Sequence, residues 1–569
     1  MTTYATRADT RVATGSHPAP SGPAPVERGG AADRRIGWLL GAVVFTAAFV
    51  LSWVPSLWGD EAASILSAER PLPSLFRMLG HVDAVHGTYY LFLHFWIDAF
   101  GASPLSVRLP AAIATGVAAA GLYFVARMLT TRPVAVVAVL IFAILPRTAA
   151  FNDEARSYAF GAAIAVWLLL LLLRLVARRT LAAGWWVAYG ALLCLGVYTF
   201  LYFGLFVVVH AVLLARARVG RRVWRRWALA TGAAVVAASP VVFFSVAERN
   251  QVAFLAGRST DSPFSVLVTT FFTTTSLAVV SWGLVLVAVA FGVVAEVRRR
   301  RSARRFAARG GVGGPRAGAG ERELDGLTRP LLPGATLVGV VWFVGPLILL
   351  LVGNLAIADY SPRYLSYSAA GGALLMALGL ARLADVAALG LHRASALGAG
   401  AGLTSLGRRS ARWFVVFGVA SALVLALEAP VYAATRTPNA KNNSDWQQIS
   451  EVIGKHAAAG EGVVFDDTVR PSRRTRLAME TYPAGFTGLT DLTIKTPVAA
   501  GDTWHDTAYS VDQALALGRF DGVRTVWLID YAVGGKSDDH SLAALEAAGY
   551  RVVTTYSTHR SAIVELTRG

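Results

Sequence analysis

The sequence predicts a polytopic α-helical membrane protein of about eleven spans, carrying a small extracytoplasmic α/β domain at its C-terminus. Three observations predict it. The 569 residues are 55% hydrophobic and only 15% charged, with a mean hydropathy of +0.51, where a soluble chain carries roughly 25% charged residues. Apolar runs near the length of a ~30 Å hydrocarbon core recur along the chain. After Ala434 the composition turns soluble-like and strand patterns appear.

Residues 1–35 read as a disordered cytoplasmic tail, rich in Ala, Pro, Gly, Thr and Ser through residue 33. The first apolar run, 36–57, is too long for a signal peptide and more runs follow it, so it reads as a retained span. Further spans are expected at 105–126, 133–149, 157–177, 182–199, 200–215, 228–247, 270–297, 331–353, 365–388 and 413–434, making residues 36–435 one transmembrane domain. The pair 182–215 has almost no loop and also reads as one long broken helix. Residues 263–276, rich in Thr and Phe, suit an interfacial position.

The formal net charge is +18. A basic chain suggests nucleic acid, but here the basic residues sit in alternate short loops. Arg127/Arg132, Arg174/Arg178/Arg179, Arg216–Arg226, Arg298–Arg329 and Arg393–Arg412 all fall on one side, together with Arg34 and Arg35. Positive-inside sorting makes that side the cytoplasm and argues against nucleic acid as a partner. The run Arg298–Arg305 also suits anionic headgroups. The opposite side holds the loops 58–104, 150–156, 248–269 and 354–364, and everything after 435.

The long first outer loop, 58–104, has helical spacing over Ala62–Arg70 and Leu72–Leu79. Its aromatic stretch Tyr89–Phe100 is too short to span, and spanning would invert every later loop, so it reads as a juxtamembrane helix. In the domain 436–569, Ser444 is placed to cap a helix ending near His456. Strands are expected at 462–465, 525–529, 551–556 and 562–566, with a helix over Ser541–Ala548. The run Arg473-Arg474-Thr475-Arg476 reads as a solvated face. The single cysteine, Cys194, rules out a disulfide within the chain.

Ionisable groups at the edge of a bilayer are costly and mark sites. Four clusters interrupt apolar sequence, all on the outer side. They are Asp60-Glu61, His81/Asp83/His86, Asp153-Glu154 with Arg156 and Tyr158, and Asp359-Tyr360-Ser361-Pro362-Arg363-Tyr364. This set suits a surface reaction between an acceptor hydroxyl and an anionic lipid-linked donor. A carboxylate takes the hydroxyl proton, and an arginine stabilises the departing phosphate. Each cluster also has a plainer reading. Asp60 and Glu61 suit the start of the next helix, Asp153 and Glu154 likewise, Arg363 suits a headgroup anchor, and the histidines suit an ordinary loop.

The ordered motifs carry a resemblance. They are Gly59-Asp60-Glu61-Ala62, His86-Gly87-Thr88-Tyr89-Tyr90, Leu93-His94-Phe95-Trp96, Phe100-Gly101-Ala102-Ser103, Arg108-Leu109-Pro110, Glu154-Ala155-Arg156-Ser157-Tyr158 and Pro362-Arg363-Tyr364-Leu365. In this order they resemble the polytopic GT-C glycosyltransferases, nearest to the family 39-like bacterial and actinobacterial mannosyltransferases. The resemblance covers about 36–390. It implies a GT-C-like fold and inverting transfer of a sugar, mannose first, from a polyprenyl-phosphate donor to an extracytoplasmic acceptor: a lipoglycan, glycan or protein. It implies Asp60 as general base with Glu61 beside it, and His86, Tyr89, Glu154, Arg156, Tyr158, Arg363 and Tyr364 as substrate-binding residues. Some relatives carry His-Pro-Pro where this chain has His86-Gly87-Thr88. No cofactor is implied with certainty, and a divalent metal stays open. An arabinosyl or other pentosyl transferase is the alternative within the resemblance. Outside it stand a lipid or polysaccharide transporter, whose ionisable groups would sit nearer the midplane, and a scaffold whose outer domain binds a partner.

Overall fold

The computed structural model describes residues 30–178, 182–251, 261–309, 333–357, 360–396, 405–533 and 539–569. The tail through residue 29, Asp359 and the basic stretch after residue 309 lie outside them.

Each expected apolar segment contains a helix. The first is α1 (Ala31–Phe49). The loop after it carries α2 (Gly59–Ala68), α3 (Leu72–Leu79) and α4 (Gly87–Phe100). The bundle continues through α5 (Pro104–Leu129), α6 (Arg132–Ile144), the short α7 (Pro146–Phe151) and α8 (Tyr158–Arg178). Next come α9 (Ala183–Thr199), α10 (Phe206–Ala217), α11 (Arg221–Ala237) and α12 (Ser239–Ala247). It closes with α13 (Thr275–Arg309), α14 (Ala335–Asn354), α15 (Ala369–Ala396) and α16 (Ser405–Ala434). Among the described residues, 6 helices are long and apolar enough to cross a membrane, and α11 with α12, bent by 48°, makes up to 7. The segments Arg132–Ile144, Ala183–Thr199 and Leu201–Ala217 are apolar but shorter.

Several boundaries differ from expectation. The chain is helical from Ala31, not from residue 36. Asp33 holds this start in place: it is buried and accepts from Tyr123 at 2.9 Å and Arg132 at 2.9 Å, with Arg127 at 3.2 Å. The same helix ends at Phe49, and residues 50–58 are not helical, so Asp60 does not follow the span directly. The 133–149 run breaks at Leu145 because Pro146, which has no N–H, starts a new helix. The 200–215 run begins as a 3-10 turn, Leu201–Leu205.

α1 and α5 lie close because both are glycines where they meet. A Cβ on Gly41 would stand 2.8 Å from the Gly116 carbonyl oxygen, and one on Gly116 2.7 Å from that of Gly41. Small residues allow such contact between membrane helices. The Asp33 contacts bring Arg127 and Arg132, at the turn from α5 to α6, to one end of the bundle beside the start of α1. The loops that carry Asp60, Glu154 and Arg363 gather at the other.

At that second end stands the C-terminal domain. Its helix α17 (Trp446–His456) precedes a five-stranded sheet. The strands are β1 (Gly462–Phe465), β2 (Thr490–Asp491), β5 (Thr525–Tyr531), β6 (Tyr550–Ser557) and β7 (Ser561–Arg568), in the order β2-β1-β5-β7-β6. β1 is parallel to β2 and β5, and β7 is antiparallel to β5 and β6. β3 (Ile494–Thr496) and β4 (Thr507–Ala508) form a separate pair. Ser444 does not cap α17; its hydroxyl donates to the Leu57 carbonyl at 2.6 Å. Arg476 is not on a solvated face. It is buried and bonded to Asp506 at 2.6 Å, Asp491 at 2.8 Å and Thr493 at 2.7 Å.

The domain and the first outer loop share one apolar core. Leu57, Ile65, Leu75 and Tyr90 pack in the same cluster as Trp446, Ile449, Leu477 and Trp527. Arg70 reaches from the end of α2 into the carbonyls of Val498, Gly501 and Thr503. Gly59 touches Ser472 so closely that a Cβ would stand 2.5 Å from its carbonyl oxygen. The helix bearing Asp60 is therefore fixed from above by the domain and from below by the bundle.

Candidate active site

Asp60 lies in the first turn of α2, where the helix dipole favours an acid. Its carboxylate meets two guanidiniums. Arg363 Nη1 donates to Oδ2, and Arg156 Nη2 lies 3.8 Å from Oδ1. Arg363 comes from the 3-10 turn Pro362–Ser368 that leads into α15. Arg156 comes from the irregular stretch between α7 and α8. Three distant segments thus converge on one carboxylate. Burial works to raise the Asp60 pKa, but Arg363 and Arg156 outweigh it and hold the group below the ordinary carboxylate range.

A second layer fixes Arg156. Its Nη1 donates to the Tyr90 hydroxyl at 3.1 Å, and that hydroxyl donates to Asp83 Oδ2 at 2.9 Å. Asp83 has a left-handed backbone, φ 61°. Its N–H is held by Gln251 at 3.1 Å, and the next N–H, of Ala84, by Glu248 at 3.0 Å. The end of α12 therefore sets the loop that sets Arg156.

The expected residues divide into those that gather and those that do not. Glu154 faces the same space, buried, with Oε1 unbonded. Burial raises it to about 7, with Lys441 pulling the other way. His86 sits near Asp60 and against the Tyr90 ring at 5.8 Å. Burial, reinforced by Arg156, drives its pKa down to about 3, so it is neutral. Tyr158 is buried against Phe200. Tyr364 stacks on Tyr202 with ring centroids 4.5 Å apart. Tyr89 is packed against Phe160 and Phe92, and its hydroxyl has no hydrogen bond.

Glu61 is closed off. Arg108 grips both of its oxygens, at 2.7 and 2.6 Å, and the Ala155 N–H donates to Oε1 at 3.0 Å. Arg108 also donates to the carbonyls of Ser52 and Pro55, each at 2.7 Å. Both side chains are fully buried. Glu61 thus ties α2 to α5 and to the Glu154 segment, and it does not share a cavity with Asp60. Asp153 is likewise enclosed, by Arg436 and by Lys441 at 2.6 Å.

Arg147, in α7, is a further cation in this region. It donates to the carbonyls of Thr270 at 2.6 Å and Thr269 at 3.2 Å. The sequence carries a signal for it: a lone arginine at the outer end of an apolar run, against the sorting of the other arginines. Tyr90 gives no such signal beside Tyr89. Among the described residues no three His, Cys, Asp or Glu side chains gather to hold a metal ion. Asp60 is already flanked by two cations, a setting that suits a phosphate better than a metal.

Residues 88–247 match the profile of a family described as dolichyl-phosphate-mannose-protein mannosyltransferase. No curated protein matches the chain by sequence. Among solved structures, the chain is similar to ArnT from Cupriavidus metallidurans bound to undecaprenyl phosphate. The two are 14% identical, with a TM-score of 0.51 over 93% of this chain and 97% of that one. It is also similar to the arabinofuranosyltransferase AftD from Mycobacteria, at 14% identity and a TM-score of 0.47, over 94% of this chain and 40% of that one. The likeness to ArnT is one of fold: both chains share the same polytopic helical architecture over almost their whole length.

Proposed function

We propose that the chain is a membrane glycosyltransferase that moves a sugar, mannose first, from a polyprenyl-phosphate donor to an extracytoplasmic acceptor with inversion. The convergence of Arg363 and Arg156 on Asp60 carries this reading. The family match supports a mannosyl donor, and the fold supports a lipid-linked one.

In this mechanism the donor phosphate displaces Asp60 from Arg363. The freed carboxylate accepts the acceptor's hydroxyl proton as that oxygen attacks the anomeric carbon. The bond from that carbon to the phosphate oxygen breaks, and the electron pair leaves with the polyprenyl phosphate. Arg363 and Arg156 stabilise the charge that builds there. Donor binding and activation of the base are thereby linked, because one guanidinium serves both anions. Glu154, Tyr158 and Tyr364 line the donor side, and His86 acts as a neutral hydrogen-bonding group. Glu61 acts as a positioning residue through Arg108.

The Arg-rich end of the bundle faces the cytoplasm in this reading. The N-terminus lies there, and the C-terminal domain stands outside the plasma membrane, over the site. The test is transfer of label to an envelope acceptor fraction, from polyprenyl-phospho-mannose and, in parallel, from a polyprenyl-phospho-pentose. Faster transfer from the mannosyl donor upholds the sugar assignment, and faster pentose transfer replaces it.

A further inference from the structure

The guanidinium of Arg147 enters none of the steps described above. It sits in the first turn of α7, on the same stretch of chain that carries Glu154, Arg156 and Tyr158. Its Nε and Nη2 donate to the carbonyls of Thr270 and Thr269, at 2.6 and 3.2 Å, and its backbone N–H donates to that of Phe271 at 3.3 Å. The Thr270 hydroxyl in turn bonds the hydroxyl of Tyr360 at 2.7 Å, three residues before Arg363. α7 also packs directly against the turn Pro362–Ser368 that bears Arg363. Arg147 is therefore pinned beside Arg363 from two sides.

The pinning uses two of the three guanidinium nitrogens. Nη1 makes no hydrogen bond and is not shut off from solvent. Arg147 also lacks a carboxylate. Arg108 pairs with Glu61, Arg436 pairs with Asp153, and Arg363 and Arg156 share Asp60. Among the described residues no acid is in ion-pair contact with Arg147. The plain role for such a cation is to cap the π-helical turn Ser265–Thr269. That role accounts for Nε and Nη2 and leaves Nη1 over. A half-buried guanidinium with a free donor suits an anion from outside the chain.

The site gives that anion a place. The side chains whose charge acts on Asp60 are Arg363, Arg156 and His86, and those acting on Arg147 include Arg363 and Glu154. Arg363 is common to both, so it stands between the base and Arg147. During the transfer a unit of negative charge moves. It starts on the Asp60 carboxylate, which takes the acceptor's proton. It ends on the phosphate, which takes the electron pair of the broken bond. Arg363 and Arg156 touch Asp60, so they favour the charge before it moves as well as after. A cation nearer the phosphate than the base favours the moved charge alone, and such differential binding is what speeds a step.

We propose that Arg147 is a further catalytic residue: its Nη1 bonds the donor phosphate on the side of Arg363 away from Asp60, and it holds the leaving polyprenyl phosphate more tightly than the intact donor. The catalytic role rests on the glycosyltransferase reading; the preference for the free phosphate is measurable without it. The intact donor is a phosphodiester with a single negative charge. The leaving group is a monoester, which carries about two at neutral pH. As the acceptor oxygen bonds the anomeric carbon, its proton passes to Asp60. The bond from that carbon to the phosphate oxygen breaks, and its electron pair goes to the phosphate between Arg363 and Arg147.

The experiment uses the full chain in phosphatidylcholine nanodiscs, as wild type, Arg147→Gln and Arg147→Lys, with Tm recorded for each. Equilibrium binding is measured for polyprenyl phosphate and for polyprenyl-phospho-mannose, and label transfer is followed from the latter. Wild type should bind the free phosphate more tightly than the donor; equal affinities overturn the proposal whether or not the variants fold. Arg147→Gln should cut that preference about tenfold, the loss of one charged hydrogen bond. It should also lower kcat about 10²-fold with little change in the donor KM. Arg147→Lys should restore most of both. A purely structural role lowers Tm and weakens both ligands equally, and that pattern overturns the proposal, as does an unchanged kcat in Arg147→Gln. If the binding preference behaves as stated but wild type transfers from no lipid-linked sugar, the glycosyltransferase reading fails while the phosphate site at Arg147 stands.

Discussion

Asp60 and Arg363, 303 positions apart, form an ion pair that joins the first turn of α2 to the turn leading into α15. Neither group is fully buried: their side chains are 20% and 29% exposed. The pair is open to ligand from the side, unlike Glu61–Arg108 next to it, where both are fully buried. One adjacent acid is thus available for chemistry and the other is sealed into the fold.

Removing Arg363 should damage both the donor site and the base. Arg363→Ala is expected to lower kcat/KM by about 10²–10³-fold, the usual loss of one charge-stabilising group. Burial then acts on Asp60 with less opposition, so its pKa rises and the acid limb of the pH–rate profile moves to higher pH. Arg363→Lys keeps the charge and should leave that limb near its original position. An acid limb unmoved in Arg363→Ala contradicts the coupling.

Burial raises the Glu154 pKa to about 7, beside the proposed donor site. Its charge appears as pH rises through that value, and it then repels a phosphate. Polyprenyl phosphate should bind more weakly at pH 8 than at pH 6 in the wild type. In Glu154→Gln, which stays neutral, this part of the pH dependence should vanish, as equilibrium binding across that range would show.

The Glu61–Arg108 pair should govern stability. Arg108→Ala leaves a buried carboxylate without its partner, at a cost of about 3–5 kcal/mol. Thermal unfolding in detergent should show a large drop in Tm. Glu61→Gln keeps the shape and the Ala155 N–H bond, and should fold and retain more activity than Asp60→Asn.

Tyr90→Phe removes the hydroxyl that links Arg156 to Asp83. Arg156 keeps its charge but loses its support. A fall in kcat of about tenfold with little change in Tm is expected, on the scale of a lost charged hydrogen bond. An unchanged kcat would show that the link does not position Arg156.

Gly59→Ala drives a methyl into Ser472, whose Cβ and carbonyl oxygen would both stand 2.5 Å away. Overpacking of this kind costs typically 1–3 kcal/mol. Because Gly59 precedes Asp60, the substitution should reduce activity and Tm together. Loss of neither would show that the domain does not hold α2 in place.

Much of this architecture was legible because a bilayer leaves few options. Apolar runs become helices. The breaks at Pro146 and at Pro240, near the start of α12, fall inside runs expected as single spans, and a missing N–H accounts for them. Part of the site was legible too: Asp60, Glu154, Arg156 and Arg363 sit where apolar sequence is interrupted. The separate fates of Asp60 and Glu61 follow from helix geometry, since neighbours on a helix point about 100° apart at 3.6 residues per turn. What escaped the sequence was partnership across long separations. Arg476 reads as one of a solvated run until the distant residues Asp491 and Asp506 enclose it. Tyr90 and Tyr89 look alike until the fold gives only Tyr90 a carboxylate and a guanidinium.

The central claim is that Asp60 is the base of a sugar transfer whose donor is held by Arg363. The most direct measurement compares label transfer from polyprenyl-phospho-mannose by wild type, Asp60→Asn and Arg363→Ala, with donor binding measured on the same preparations. Transfer should be present in wild type and lost in both variants, while Asp60→Asn still binds donor and Arg363→Ala binds it poorly. Undiminished transfer by Asp60→Asn would contradict the account.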